Sequence, residues 1–193
     1  MDNTTLVAIA VAAIAAILIL ATIISRATVR KQTTAKLQER FGPEYDRTVE
    51  QYGDQREAEK ELRAREKRVA NFQIRTLTRE EHDRFAQAWR NAQARFVDEP
   101  SEAVADADRL VEEVMRARGY PTGDFEQRVA DISVDHAGVI TNYRLARDIA
   151  LANRKGKAST EDLRQAMVRY RSLFDELLQT EGQPKERVKE MVR

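Results

Sequence analysis

The chain has 193 residues, with 33 Lys and Arg against 32 Asp and Glu and a formal net charge of +1. That balance excludes a dedicated nucleic-acid binder, which needs a concentrated basic face to release counterions. Seven Gly and four Pro are few for a turn-rich all-β design, and the lack of cysteine excludes disulfides, thiolate nucleophiles and cysteine-based metal sites. Residues of high helix propensity dominate beyond the first 25 positions, so the chain is predicted to be all-α.

After a short N-terminus (1–5) comes LVAIAVAAIAAILILATII, Leu6 to Ile24, with no charge, Pro or Gly and Thr22 as its only polar residue. As a helix this run is about 28 Å long, close to the hydrocarbon thickness of a bilayer, and its backbone bonds are satisfied internally. A transmembrane helix is predicted over 6–25, making the lipid bilayer the first partner. A secretory signal wants a basic start, a shorter apolar core and a small-x-small cleavage site. Asp2 is the only charged side chain before Leu6, and Ser25-Arg26-Ala27 matches a cleavage site loosely. The run therefore reads as a retained anchor. A cleaved signal peptide or a reversed topology, either of which gives an extracytoplasmic helical domain, is the alternative.

Arg26, Arg30, Lys31, Lys36 and Arg40 follow the run, and no Lys or Arg precedes it. The positive-inside rule then puts the N-terminus outside and the rest in the bacterial cytoplasm. The same five residues can rest on anionic headgroups, at ~1 kcal/mol each near the surface. Residues 26–76 read as a basic juxtamembrane segment and a charged helical stalk. Gly42-Pro43 interrupts the pattern, and Pro43 with Glu44 and Asp46 suits a helix start. Beyond it apolar residues are sparse (Val49, Tyr52, Leu62, Val69, Phe72), and i,i+4 pairs such as Glu59 with Arg63 and Glu61 with Arg65 lace the surface. A disordered linker is the competing reading of this stretch.

A helical bundle is predicted over 77–181, with a flexible tail over 182–193. Thr78-Arg79-Glu80-Glu81 has the form of a capping box. Phe85, Trp89, Ala92 and Phe96 follow as one apolar stripe at i, i+4, i+7 and i+11. Pro100 opens a second helix whose inner face is Val104, Ala107, Val111, Val114 and Met115, and Gly119 closes it as a left-handed cap. Asp124 caps a short helix from Phe125 to Ile132. Ser133 or Asp135 then starts another, with Val139, Ile140, Tyr143, Ala146, Ile149 and Ala150 inward and Gly156 as its stop. Ser159 caps the last helix, which carries Leu163, Ala166, Met167, Tyr170, Phe174, Leu177 and Leu178.

The stretch TLTREEHDRFAQAWRNAQARFVDEPSEAVADADRLVEEVMRARGYP, with FEQRVADISVDHAGVITNYRLARDI after it, resembles a family of uncharacterised small bacterial proteins. The likeness spans Leu77 to Leu178, with Trp89, FVDEP, RGYP and SVDH as its markers. It implies an N-terminally anchored, helical envelope protein, and assigns no activity, cofactor or partner.

Few residues offer chemistry. His82 has Glu80, Glu81 and Asp83 as neighbours, but consecutive helical residues diverge by about 100°, so the four do not converge on one ion. They read as an acidic first turn complementing the helix dipole. Ser133-Val134-Asp135-His136 has the elements of a nucleophilic triad. Its spacing fits a serine N-cap better, with a site built on Asp131, Asp135 and His136 as the enzyme alternative. Arg118-Gly119-Tyr120-Pro121 reads as a helix stop, with Arg118, Tyr120 and Pro121 as a candidate interaction loop. The acidic run Asp106, Asp108, Glu112 and Glu113 reads as solvated. No phosphate loop or dinucleotide fingerprint occurs. The function expected is a membrane-anchored, non-enzymatic interaction or scaffold module with no cofactor, acting on a protein partner. The sequence names neither that partner nor an oligomeric state.

Overall fold

A computed structural model describes residues 31–179, together with Ala21 and Thr28. Apart from Ala21, the expected transmembrane helix lies outside the described residues, as do Arg26, Arg30 and the tail beyond 179. Among the described residues, no helix is long and apolar enough to cross a membrane. The chain divides into two compact units at the Arg40–Phe41 step. In the first, residues 31–40 are helical, with Lys31, Lys36 and Arg40 exposed.

Among its described residues the second unit is all-α, as composition predicts. Its helices are α1 (Pro43–Tyr52), α2 (Gln55–Val69), α3 (Arg79–Arg95), α4 (Pro100–Ala117), α5 (Phe125–Ile132), α6 (Ala137–Arg154) and α7 (Thr160–Leu178). From α3 onward this is four substantial helices and one short one. Their starts follow local chemistry. The Thr78 hydroxyl accepts from the Glu81 amide at 3.2 Å while the Glu81 carboxylate accepts from the Thr78 amide at 2.9 Å. Ser159 and Asp162 repeat this reciprocal arrangement at 3.2 and 2.8 Å. Asp124 accepts from the Gln127 amide at 3.0 Å, and Pro100 opens α4. Each cap satisfies amides that have no intrahelical partner.

α7 is the central element, packed on α6 and α4, and α3 covers α4. The stripes meet in one core. Phe85, Trp89, Val104, Val111, Val114, Met115, Ile140, Tyr143, Ala146, Leu163, Tyr170, Phe174 and Leu177 are all buried in it. Trp89 stacks on Phe174 with ring centroids 4.6 Å apart and an interplanar angle of 20°. Gly119 ends α4 at φ 93°, and a Cβ there would sit 2.4 Å from the Gln73 carbonyl oxygen. The residue must therefore be glycine on two counts: its left-handed backbone and the close approach of a neighbouring chain segment.

Two local expectations change. Residues 43–69 do not stand apart as a stalk: α1 packs on α6, α2 packs on α5, and the two pair with each other as a hairpin. Tyr45, Ala58, Leu62 and Val69 are buried, as are the charged Glu59 and Arg65. The expected pairs are present, Glu61–Arg65 at 3.1 Å and Glu59–Arg63 at 3.7 Å. Mutual pairing of this kind lets a charge-rich helix bury one face, which sparse apolar residues alone argued against. The second change concerns α6, which starts after His136 without a side-chain cap. Ser133 instead closes α5, its hydroxyl donating to the Ala130 carbonyl at 2.7 Å, because the last turn of α5 has carbonyls to satisfy.

Candidate functional site

The residues that looked reactive are drawn to separate partners. Asp131, on α5 and only 2% exposed, accepts from Arg68 Nε at 2.7 Å and from Gln127 Nε2 at 2.9 Å. Asp135 accepts from the Tyr120 hydroxyl at 3.1 Å. His136 Nδ1 lies 3.5 Å from Glu176 on α7, and its Nε2 is buried without a hydrogen-bond partner. Ser133 is fully buried. No serine, histidine and aspartate here share one hydrogen-bonded line, so the geometry of a nucleophilic triad is not assembled. His82 is half-buried with its Nδ1 3.2 Å from Asp83, and no second carboxylate among the described residues joins them. Among the described residues, no group of three His, Asp or Glu comes close enough to hold a metal ion.

The RGYP loop turns inward. Arg118 is buried and donates to the Leu177 carbonyl at 3.1 Å and the Arg75 carbonyl at 3.3 Å, tying the end of α7 and the segment before α3 to the end of α4. Tyr120 is buried with its ring edge-on to His136, and burial first, then the Asp135 charge, pushes its phenol pKa up, so it stays a donor. Pro121 is exposed. Of the three candidate interaction residues, two are therefore committed to the interior.

The acidic run is not solvated throughout. Asp108 is 5% exposed and accepts from the Tyr170 hydroxyl at 2.9 Å. It also pairs with Arg147 and lies 3.5 Å from Arg154. Glu112 pairs with the buried Arg128 at 2.7 Å. The guanidinium groups of Arg147 and Arg128 lie 5.5 and 6.0 Å from the Phe125 ring centre. Phe125 in turn meets Tyr143, and Tyr143 meets Tyr170, at centroid distances of 5.1 and 6.2 Å. Burial pushes the phenol pKa values of Tyr143 and Tyr170 up, with the Asp108 charge adding to both, so neither ionises in the physiological range. This seam of paired charges and aromatic rings joins α4, α5, α6 and α7. Each of its two carboxylates is paired with arginine, so its chemistry is cohesion and register between helices.

One open groove lies between α3 and α4, of about 320 Å³. Ala88, Ala92 and Leu110 contribute apolar surface, and Arg95, Asp106 and Arg109 are linked across it, Asp106 accepting from Arg95 at 3.0 Å and from Arg109 at 2.6 Å. Large apolar side chains left exposed among the described residues are Tyr52, Val97, Leu145, Leu151 and Val168.

Comparison with protein-family models, with curated proteins and with solved structures returns no match to this chain.

Proposed function

We propose that this protein is a single-span, membrane-anchored helical module that acts by protein–protein contact at the cytoplasmic face of a bacterial membrane. The observation that carries the reading is the uncharged 19-residue run from Leu6 to Ile24, followed within 16 residues by Arg26, Arg30, Lys31, Lys36 and Arg40. Anchoring confines the helical unit to a thin layer and raises its effective concentration for other membrane-bound proteins. Contact is made by helix faces. The divergence of Asp131, Asp135 and His136 to Arg68, Tyr120 and Glu176 supports a binding role over a catalytic one. The exposed apolar residues are too scattered to add weight, since single exposed apolar side chains are ordinary on soluble surfaces.

Fractionation tests the anchor. The full-length chain is expected to stay with membranes through alkaline carbonate extraction, and a chain lacking residues 1–25 is expected in the supernatant. A full-length chain released by carbonate would refute the proposal.

A further inference from the structure

We propose that the α1–α2 hairpin is a releasable clasp: it leaves α5 and α6 as a unit, turning about residues 70–72, while α3 to α7 stay folded. Two ion pairs cross its attachment. Glu44 on α1 accepts from Arg144 on α6 at 3.0 Å, and Arg68 on α2 donates to Asp131 on α5 at 2.7 Å. Tyr45, Ala58, Leu62 and Val69 are buried but do not belong to the main apolar core, which begins at Leu77 with Phe72 and Ile74 packed against it.

Release strands no buried charge, because each latch residue has a second partner on its own side. Arg144 keeps Glu126 at 2.6 Å, and Asp131 keeps Gln127 at 2.9 Å. Glu44 keeps Arg47 at 3.7 Å, and Arg68, already 35% exposed, passes into water. The usual penalty for breaking a buried ion pair, an uncompensated charge left in the interior, is thereby reduced. The hairpin also carries its own polar contacts: Glu59 accepts from Tyr45 at 3.1 Å and from Gln55 at 2.8 Å, and Asp54 caps α2.

Anchored backbone just beyond α2 sets the pivot. Residues 70–72 form a turn, with the Phe72 amide donating to Val69 at 2.9 Å. Immediately after it, the Gln73 carbonyl abuts Gly119, the Arg75 amide donates to Arg118 at 2.9 Å, and the Arg118 side chain returns a bond to Arg75. Motion of the hairpin therefore stops at Gln73. Opening uncovers Asp131 and Arg144 on α5 and α6. The clasp does not depend on the N-terminal run being held in lipid.

Native-state hydrogen exchange on the full-length protein in detergent micelles tests this at about 0.05 M and 0.5 M salt. Once undocked, the two short helices fray far more readily than helices packed in the bundle, so their amides report opening. We expect α1 and α2 amides to share one opening at least about 100-fold more frequent than that of α6 and α7, rising only modestly at the higher salt because the latch pairs are largely buried and little screened. Arg68→Met with Arg144→Met should speed exchange in α1 and α2 by about tenfold or more and leave α7 within about twofold. Exchange of α1 and α2 through the same rare opening as α7 in the unaltered protein would overturn the clasp, and that measurement needs no variant to fold. A double variant that loosens every helix equally would overturn it too.

Discussion

Asp108 offers the sharpest test of how the bundle is held together. Asp108→Ala removes a carboxylate that is 5% exposed, leaving Arg147 without its main partner and the Tyr170 hydroxyl buried without an acceptor. Breaking a buried pair by removing one partner costs about 3–5 kcal/mol, and stranding a buried hydroxyl about 1–3 kcal/mol. The two losses share one site and do not add, so the expected destabilisation is about 3–5 kcal/mol. For a unit of this size that lowers Tm by about 6–20 °C. Asp106→Ala, four-fifths buried by its neighbours yet bonded to the exposed Arg95 and Arg109, is the control, expected within about 1 kcal/mol. The assay is denaturant unfolding followed by circular dichroism and by fluorescence of Trp89, the only tryptophan. Adding Tyr170→Phe to Asp108→Ala should recover part of the loss, since the stranded hydroxyl is then gone. Equal, small effects for Asp108→Ala and Asp106→Ala would refute the buried seam and restore a solvated acidic run.

Three further outcomes are expected from the geometry. Trp89→Ala should cost about 3–5 kcal/mol by opening a cavity against Phe174, while Trp89→Phe should cost far less, because the indole nitrogen has no hydrogen-bond partner to lose; thermal unfolding checks both. Gly119→Ala should destabilise by about 1–3 kcal/mol or more, because the positive φ and the Gln73 carbonyl both oppose a Cβ; the same unfolding curves decide it, and a neutral result would contradict the close approach. The Glu81 carboxyl is held down to about 2, first by Arg75 and then by the Thr78 amide. A depressed carboxyl contributes its stabilisation above the unfolded value and loses it as pH falls through the folded one, so the start of α3 should loosen between pH ~4.5 and ~2, read by exchange of its first-turn amides.

Much of the bundle was legible because its signals are local. Thr78 with Glu81, Ser159 with Asp162, Asp124, Pro100 and Gly119 each fix a helix end through neighbours a few residues away, and the stripes from Phe85 to Leu178 carry the 3.6-residue period. The hairpin was not legible. Arg144–Glu44 and Arg68–Asp131 join residues far apart in sequence, and a charge that will find such a partner looks the same as one facing water. Asp108 left a trace that composition hid: Val104, Asp108, Val111 and Met115 sit at i, i+4, i+7 and i+11, which places the carboxylate on the buried stripe. Arg118 continues the same face one turn beyond Val114, and is buried for the same reason. Ser133 misled because a serine that caps the next helix and a serine that closes the previous one look the same where two helices follow closely in sequence. The structure puts it at the closing end.

The most direct test of the account is the side of the membrane on which the helical unit lies. With no native cysteine, Lys185→Cys provides a single thiol, and intact cells are treated with a membrane-impermeant maleimide alongside lysed cells. Protection in intact cells and labelling after lysis is the result the account predicts. Labelling in intact cells would contradict it, place the unit outside the cytoplasm, and make the apolar run a signal peptide or an anchor of reversed orientation.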